Sequence, residues 1–413
     1  MMREFLEKMR DASLVTDVEE HCSSVFEAPR IASRTDRILV FHDVDGKRAV
    51  MNLTGNRDIL AQALSVKSTD LVHHLARASY DGNVTVEGKV RTRAADLTCF
   101  PVMQYYPKDA GRYITAGIVC SCFDDVQNAS VHRMLILDER HVAARLVEGR
   151  HTQTMHQKAL QRGESLPVAV VIGVHPAVIF AASTRVPAGR ELNFAAELLG
   201  GEIPVRECSN GVLVPDAEII LEGSIGAETA AEGPFVDITG TYDPVREQPI
   251  IAFTGMSAKK DPLYHAILPG GREHKVLMGV PYEPKIFRTV GEVTDVRNVV
   301  LTQGGCGYLH AVVQIHKNTQ GDAKNAIMAA FAAHTSLKHI VIVDEDIDPF
   351  SMEDVEYAIA TRVRGDRDLL VITGVRGSSL DPSRAEDGTN VKIGIDATMD
   401  LQDRESFARA EWT

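Results

Sequence analysis

The middle of the chain, residues 106–305, is a succession of short β-branched runs interrupted by Gly, Pro, Asn and Asp. Runs such as Tyr113–Val119, Arg133–Leu137 and Val168–Val174 have the length and composition of strands. Two helical stretches interrupt them, one at Pro176–Ala182 with Glu191–Leu199 and one at His156–Arg162. Short strands spaced in this way predict a sheet or a barrel at the centre of the fold.

The two ends of the chain follow other patterns. Residues 1–105 begin with a predicted helix, Met2–Ala12, and include a helical stretch from about Asp58 to Tyr80. From residue 308 onward, predicted strands and helices alternate, and residues 381–413 look loop-rich. The alternation predicts a small βαβ layer with a parallel sheet. A chain of 413 residues favours two or three domains, and we place them at 1–105, 106–305 and 306–413.

Charge and apolar content exclude several classes of protein. The formal net charge is −13, and no basic stripe is present to bind nucleic acid or an anionic membrane surface. No apolar run approaches the roughly 18–20 residues of a membrane helix, and the charged segment Met1–Arg10 does not resemble a secretory signal. The six cysteines include no CxxC pair, which favours buried reduced thiols. We therefore expect a cytoplasmic protein.

Several common catalytic motifs are missing from the sequence. There is no GxGxxG after a predicted strand, no Walker loop, no GxSxG and no HExxH. Nucleophilic serine or cysteine catalysis, nucleotide hydrolysis and standard dinucleotide binding are therefore disfavoured.

Asn128, His151 and Glu191 together offer an amide oxygen, an imidazole and a carboxylate. Such a mixed set suits Mn²⁺ or Mg²⁺, with phosphate and water as the remaining ligands. Taken alone, Asn128 is better explained by an ordinary turn and Glu191 by a surface carboxylate at a helix N-terminus, whereas a solvated charged loop explains His151 equally well. The sequence does not show that the three converge.

The segment Glu232–Asp237 reads Glu-Gly-Pro-Phe-Val-Asp, and Gly-Pro places its two carboxylates on a constrained turn. We expect the preceding strand to end at Leu221-Glu222-Gly223 and a polar loop to follow it. Arg133 has a guanidinium that matches two oxygens of a carboxylate or phosphate. Two carboxylates beside an arginine suit the delivery of a proton to carbon. A loop with two solvated acids is the alternative.

Two further segments carry cations. Arg272, His274 and Lys275 lie in a stretch that favours either a mobile loop closing over an anionic substrate or an ordinary surface loop. Lys317 follows a predicted strand, where it can hold a phosphate or simply occupy a strand edge.

In this order, these segments resemble the UbiD family of prenylated-FMN-dependent decarboxylases. The match runs from about residue 128 to residue 317, and each piece alone is weak, whereas the ordered set at the family's spacing is specific. The distinctive pieces are Asn128–Arg133, His151, His175-Pro176-Ala177, Val214–Gly223, and Glu232–Phe235 with Asp237. Two features depart from the pattern, since the chain is shorter than many relatives and the proton-donor position is Asp, as in only part of the family.

The resemblance implies a role for each matching residue. Asn128, His151 and Glu191 match ligands of Mn²⁺ (or Mg²⁺) that clamp the cofactor phosphate, and the resemblance also allows a K⁺ ion. Arg133, Glu232 and Asp237 match the catalytic set, in which Arg133 orients the substrate carboxylate, Asp237 donates the proton and Glu232 holds Arg133. The implied cofactor-binding residues are Asn128, Ser130, Val131, His132, Arg133, Arg145, Leu146, Val147, Arg150, His151, Glu191 and Lys317.

The resemblance also implies the fold class, which is α+β. It comprises an N-terminal α/β region, a central split-barrel flavin-binding domain of the flavin-reductase type, and a C-terminal α/β domain that forms homo-oligomers, either dimers or hexamers. A separate flavin prenyltransferase would supply the prenylated FMN.

The implied activity is non-oxidative, reversible decarboxylation of an α,β-unsaturated or aromatic carboxylic acid. The compact length is similar to archaeal members of isoprenoid biosynthesis that convert trans-anhydromevalonate 5-phosphate to isopentenyl phosphate and CO₂. For that substrate, Arg272, His274 and Lys275 are candidate anion contacts. Acids of the 4-hydroxybenzoate, furan-carboxylate or pyrrole-carboxylate type are the alternative substrates. A flavin-binding split-barrel protein without decarboxylase activity is the alternative of another class.

Overall fold

A computed structural model of the chain describes residues 1–410 and has a mixed α+β fold. It divides into two compact units, the first made of residues 1–68 and 78–277 and the second of residues 69–77 and the chain from Met278 onward. The division into three domains stays a prediction, and residues 411–413 of its C-terminal domain lie outside the described residues.

The elements of regular structure are numbered here in chain order. The helices are α1 (Met2–Asp11), α2 (Glu27–Ala32), α3 (Arg57–Ala63), α4 (Leu71–Arg77), α5 (His151–Gln161), α6 (Pro176–Ser183), α7 (Glu191–Leu198), α8 (Arg272–Gly279), α9 (Glu283–Gly291), α10 (Asp322–Ala333) and α11 (Met352–Arg362). The strands are β1 (Val15–Val18), β2 (Ile38–Val44), β3 (Lys47–Met51), β4 (Asn83–Lys89), β5 (Arg93–Ala94), β6 (Tyr113–Phe123), β7 (Val126–Ile136), β8 (His141–Ala144), β9 (Leu166–Ile172), β10 (Glu202–Glu207), β11 (Leu213–Pro215), β12 (Ile219–Glu232), β13 (Phe235–Val236), β14 (Tyr242–Asp243), β15 (Arg246–Ala258), β16 (Leu263–His265), β17 (Asp295–Leu301), β18 (His310–His316), β19 (His339–Val343), β20 (Leu369–Arg376) and β21 (Thr389–Ala397).

The centre of the first unit is a closed barrel of six antiparallel strands. Their order is β12-β9-β6-β7-β8-β15, and β15 pairs back with β12 to close the ring. Side chains such as Met134, Val170 and Phe253 fill one continuous apolar core. β6 is buried along almost its whole length, so both of its faces are covered. The predicted barrel in the middle of the chain is therefore confirmed.

β12 is longer than the sequence predicts. We expected a strand end at Leu221-Glu222-Gly223, but β12 continues to Glu232 in an antiparallel ladder with β15. The second half of β12 is mostly exposed, so its polar residues resemble a loop, although the ladder satisfies their backbone groups. Glu232 therefore stands at the end of a barrel strand.

The other sheets of the first unit are small. β1, β2, β3 and β16 form one four-stranded sheet, β11, β10 and β4 form a three-stranded sheet, and β13 pairs with β14 as a hairpin. The helical stretch predicted over residues 58–80 is interrupted, since α3 ends at Ala63 and α4 begins at Leu71.

The second unit contains a five-stranded sheet in the order β17-β18-β19-β21-β20. β18 and β19 are parallel, as predicted, and β21 is parallel to β19. β20 was expected to belong to the parallel layer, but it is antiparallel to β21, and β17 is antiparallel to β18. β21 lies in the tail that we expected to be loop-rich, although Val391, Ile393 and Ile395 alternate with Lys392, Gly394 and Asp396 as in a strand. Within the described residues, no helix is both long enough and apolar enough to cross a membrane.

Candidate active site

The guanidinium of Arg133, on β7, binds acidic side chains from three other places in the chain. Its Nε and Nη2 atoms donate to the two carboxylate oxygens of Glu232 at 2.9 and 3.0 Å. Nη2 also donates to Asp243 Oδ2 at 2.9 Å, and Nη1 donates to Asp237 Oδ2 at 3.5 Å. The fold thus brings together the three predicted catalytic residues, although about 100 positions separate Arg133 from the two acids.

A hairpin after β12 aims these acids at Arg133. Strands β13 and β14 pair with Phe235 opposite Asp243, and the turn between them begins at Asp237. The guanidinium of Arg133 lies 5.0 Å from the centre of the Phe235 ring, within the range of a cation–π contact. The Phe235 ring in turn packs against Tyr113, at 4.2 Å between ring centres. Asp237 and Asp243 therefore belong to a hairpin that is fixed by aromatic packing.

Gly233 is required at the start of this turn. Its φ is +99°, and a Cβ atom there would lie 3.0 Å from the carbonyl oxygen of Pro244. Its N–H group donates to Tyr113 Oη at 3.2 Å, which ties the turn to β6. The Glu-Gly-Pro sequence therefore serves the geometry of the turn as well as the chemistry of Glu232.

Charges around Arg133 are strongly coupled. Burial alone would lower the pKa of Arg133, but the carboxylates of Glu232, Asp243 and Asp237 reverse that effect and raise it. Burial opposes ionisation of Asp243 too, yet bonds to Arg246 and Arg133 hold its pKa below the usual value. Arg133 and Asp243 are therefore charged at neutral pH.

Sequence reasoning missed Asp243 and its second partner, Arg246. Arg246 Nη1 donates to the same Oδ2 atom of Asp243, at 2.6 Å. The signal that could have found Asp243 is the turn at residues 238–240, because a hairpin centred on residue 239 places residue 243 opposite Phe235.

Asn128, His151 and Glu191 also converge. Asn128 lies on β7, and His151 and Glu191 are the first residues of α5 and α7. His151 Nδ1 is 3.1 Å from Glu191 Oε1, and the nearer amide atom of Asn128 is 3.2 Å from the same oxygen. The start of α5 is five residues earlier than the helix we predicted at His156, and this places His151 on the helix.

This group fits a divalent cation. The nearer amide atom of Asn128 and Glu191 Oε1 face the same point, where a cation would bind the amide oxygen and the carboxylate as ligands. Burial raises the pKa of the Glu191 carboxyl, so its charged form needs a nearby cation. His151 is 40% exposed, which leaves the group accessible to phosphate and water. Amide, carboxylate and imidazole donors are those expected for Mn²⁺ or Mg²⁺.

A cluster of hydroxyl groups and an imidazole adjoins this group. His132 Nδ1 is 2.8 Å from the carbonyl oxygen of Arg145, so Nδ1–H is the donor and Nε2 accepts from Ser130 Oγ at 2.8 Å. Thr152 Oγ1, which sequence reasoning missed, lies 2.7 Å from Ser130 Oγ and 3.0 Å from the Asn128 amide. Burial lowers the pKa of His132 to about 4, so the ring is neutral at physiological pH.

Most of the remaining predicted cofactor residues of the first unit lie in the segment after β8. The Leu146 N–H group donates to Gln248 Oε1 at 2.9 Å, and Arg145 Nη1 donates to the Leu146 carbonyl oxygen at 3.1 Å. Burial lowers the pKa of Arg145, and the positive charges of Arg246 and Arg133 add to that effect. The other predicted members are Val131 on β7, Val147 and Arg150, of which Val147 is exposed and Arg150 directly precedes α5.

The predicted substrate contacts lie on α8, and His274 is near the site, because burial lowers its pKa while the charges of Asp237 and Arg133 also act on it. Arg272 is exposed at the first position of α8. His274 Nδ1 accepts from the Gly270 N–H group at 3.0 Å, so this segment is a bonded turn that leads into a helix. Lys317 belongs to the second unit, where its Nζ atom donates to Thr398 Oγ1 and to the Met399 carbonyl oxygen at 2.8 and 2.9 Å. A phosphate-binding role for Lys317 stays a prediction.

Three family models together match most of the chain. All three describe 3-octaprenyl-4-hydroxybenzoate carboxy-lyase (UbiD): the N-terminal domain matches residues 6–79, the Rift-related domain matches residues 78–272, and the C-terminal domain matches residues 275–397. The boundary between the last two models lies near the start of α8.

Individual relatives match over the whole length. The chain is 54% identical to a Methanosarcina mazei protein named anhydromevalonate phosphate decarboxylase, covering 99% of this chain and 98% of that one. It is 34% identical to the UbiD-class enzyme HmfF from Pelotomaculum thermopropionicum, solved in complex with FMN, with a TM-score of 0.95 over 100% of this chain and 97% of that one. An evolved dimeric form of HmfF in complex with prenylated FMN has a TM-score of 0.91 and 32% identity, over 100% and 96%. The chain therefore belongs to the UbiD family of carboxy-lyases.

Proposed function

We propose that this chain decarboxylates trans-anhydromevalonate 5-phosphate to isopentenyl phosphate and CO₂, with prenylated FMN bound at the six-stranded barrel. The choice of substrate is supported by the relative in Methanosarcina mazei, whose name states that activity and whose sequence aligns over nearly the whole chain. The choice of cofactor is supported by HmfF, which was solved with FMN and, in an evolved form, with prenylated FMN.

The observation that carries the proposal is the asymmetric bonding of Arg133. Glu232 accepts from Nε and Nη2, and Asp243 accepts from Nη2 as well. Among the described residues, Nη1 has only the long contact to Asp237. Nη1 is therefore the donor that a substrate carboxylate can engage. The Arg133 side chain is 12% exposed, so this ion pair would form largely out of water, where it is strong.

Each acidic residue has a distinct task in this proposal. Glu232, which is fully buried, holds Arg133 in one orientation through a two-point ion pair. Asp237 has the longest contact to Arg133 and is 21% exposed, which leaves its carboxyl group facing the space beside Nη1. A protonated Asp237 there would deliver its proton to the carbon that has lost CO₂.

Prenylated FMN, when bound, supplies the electron sink for the loss of CO₂. Asn128, His151 and Glu191 would hold Mn²⁺ or Mg²⁺ against the cofactor phosphate. Ser130, His132 and Thr152 would fix the backbone beside them, because their side chains already bond one another and the Arg145 carbonyl oxygen. A flavin prenyltransferase would be the source of the cofactor, and the C-terminal domain would mediate the formation of homo-oligomers.

The proposal is tested by producing the chain together with a flavin prenyltransferase and measuring CO₂ release from trans-anhydromevalonate 5-phosphate. The absorbance and mass of the bound cofactor establish that the enzyme is loaded. We expect turnover of this acid and none of 4-hydroxybenzoate, furan or pyrrole carboxylates. If the enzyme turns over only an aromatic acid, that acid replaces trans-anhydromevalonate 5-phosphate as the proposed substrate. If the loaded enzyme releases CO₂ from none of these acids, the chain is better described as a flavin-binding protein that is not a decarboxylase.

A further inference from the structure

A second arginine stands beside Arg133 and is joined to it by one carboxylate oxygen. Asp243 Oδ2 accepts from Arg133 Nη2 at 2.9 Å and from Arg246 Nη1 at 2.6 Å. Because both donors bond the same atom, the two guanidinium groups lie side by side. Arg246 is the first residue of β15, directly opposite Glu232 on β12, so its backbone is fixed by the barrel.

The two arginines differ in exposure. The side chains of Arg133 and Asp243 are 12% and 16% exposed, whereas that of Arg246 is 36% exposed. Arg246 is therefore the more open of the two cations that share Asp243. For an anionic group of a bound ligand, Arg246 is thus easier to reach from solvent than Arg133.

The Arg246 guanidinium has hydrogen-bond donors that are available to a ligand. Among the described residues, its side-chain hydrogen bonds run from Nη1 alone, to Asp243 Oδ2 and to the Pro244 carbonyl oxygen at 3.3 Å. Its Nε and Nη2 atoms have no partner among those residues. A guanidinium held at one corner by a carboxylate and open at the other two is suited to bind a phosphate.

Charged groups of both signs lie near Arg246. Arg145 donates only to a backbone carbonyl among the described residues, and repulsion by Arg246 and Arg133 adds to the effect of burial in lowering its pKa. Three guanidinium groups and the three carboxyl groups of Glu232, Asp237 and Asp243 therefore lie in the same region. What favours an anion at Arg246 is its exposure together with the donors that stay free among the described residues, and not an excess of positive charge.

We propose that Arg246 binds the phosphate of a substrate whose carboxylate is held by Arg133, and that Asp243 positions both arginines. This inference rests on the proposed function for the identity of the phosphorylated acid. It assigns phosphate recognition to β15, in place of the earlier candidates Arg272 and His274 on α8.

The test compares the phosphorylated acid with trans-anhydromevalonate, which lacks the phosphate, on loaded enzyme. Arg246→Gln should raise KM for the phosphorylated acid by roughly tenfold to a hundredfold, the loss expected for a charged hydrogen bond. The kcat/KM for the unphosphorylated acid should change much less. Arg246→Lys should recover part of the loss. Arg140→Gln, a change at an exposed turn residue, serves as the matched control.

Asp243→Asn tests the positioning role. It should raise KM for the phosphorylated acid and also lower kcat for both acids, because Arg133 loses a partner as well. A merely structural role would lower the fraction of folded protein without this split between KM and kcat. An equal loss for both acids in Arg246→Gln, or a KM increase found in Arg272→Gln instead, would overturn the proposal.

A binding measurement separates this inference from the proposed function. Calorimetry on the unloaded protein compares isopentenyl phosphate with isopentenol, and we expect Arg246→Gln to weaken binding of the phosphate alone. If the wild type releases CO₂ from neither acid, the proposed function fails, and calorimetry alone decides about Arg246. Equal binding of isopentenyl phosphate by the wild type and Arg246→Gln would then remove the phosphate site.

Discussion

Arg133 and Glu232 form a two-point ion pair, with Nε–Oε1 and Nη2–Oε2 distances of 2.9 and 3.0 Å, at the junction of the barrel and the β13–β14 hairpin. Glu232 is fully buried and Arg133 nearly so, which makes the geometry of the pair rigid. The pair leaves one edge of the guanidinium facing Asp237, and the site is organised around that edge.

Glu232→Gln should lower kcat and stability together. The amide keeps the shape of the side chain but offers one acceptor, so Arg133 loses half of its two-point bond. We expect kcat to fall by at least roughly a hundredfold and the free energy of unfolding to fall by roughly 2–4 kcal/mol. Single-turnover kinetics and chemical denaturation measure the two effects. A fall in stability with unchanged kcat would limit Glu232 to a structural role.

Asp237→Asn should abolish turnover while the cofactor stays bound. Loss of a general acid typically costs roughly 10²–10⁴ in rate, and the amide cannot donate a proton in that way. The absorbance of the bound cofactor and the rate of CO₂ release are compared with those of Asp138→Asn, a matched change at a carboxylate that is 58% exposed. Full activity in Asp237→Asn would transfer the role of proton donor to another group.

Glu191→Gln should weaken binding of both the metal and the flavin phosphate. Loss of an outer partner of a metal ligand already costs roughly 10–100-fold in metal affinity, so loss of a ligand should cost at least that much. Equilibrium dialysis with FMN, with and without Mn²⁺, measures the effect without any need for turnover. Glu139→Gln is the matched control, since Glu139 is an exposed residue of the turn between β7 and β8. Equal Mn²⁺-dependent FMN retention by Glu191→Gln and the wild type would remove Glu191 from the metal site.

Stability should fall on acidification, in part because of His334. The side chain is 3% exposed, and burial lowers its pKa to about 4 from the ordinary value of 6.5, against a hydrogen bond to the Tyr308 carbonyl oxygen that raises it. The unfolded chain therefore takes up a proton at pH values where the folded chain does not. The contribution of neutral His334 to the free energy of unfolding is complete above about pH 6.5. It is lost as the pH falls towards about 4, which lowers the free energy of unfolding by roughly 2–3 kcal/mol.

Chemical denaturation of the wild type and His334→Gln across that pH range measures this contribution. Gln can keep a donor near the Tyr308 carbonyl oxygen but does not titrate, so the variant should lose less stability on acidification than the wild type. Parallel pH dependence of the two proteins would show that His334 does not contribute.

Much of the fold could be predicted because strand composition is local. The runs in the middle of the chain indicated a barrel, and the alternation after residue 308 indicated the parallel strands β18 and β19. The second half of β12 was missed because it carries polar and glycine residues where pairing with β15, rather than side-chain pattern, decides that a strand forms. β21 was missed although its side chains alternate, because the tail around it is polar.

The sequence by itself determined the family and the chemical character of the site, because the glycine, proline, arginine and acidic residues that the turn and the reaction need are written as short motifs in a fixed order. Only the tertiary structure decided which groups share one space. Asp243 and Arg246 carry no motif, and they meet Arg133 because the hairpin register and the closure of the barrel bring β7, β14 and β15 to the same point. Proximity of that kind depends on strand pairing across about a hundred residues, which no local pattern encodes.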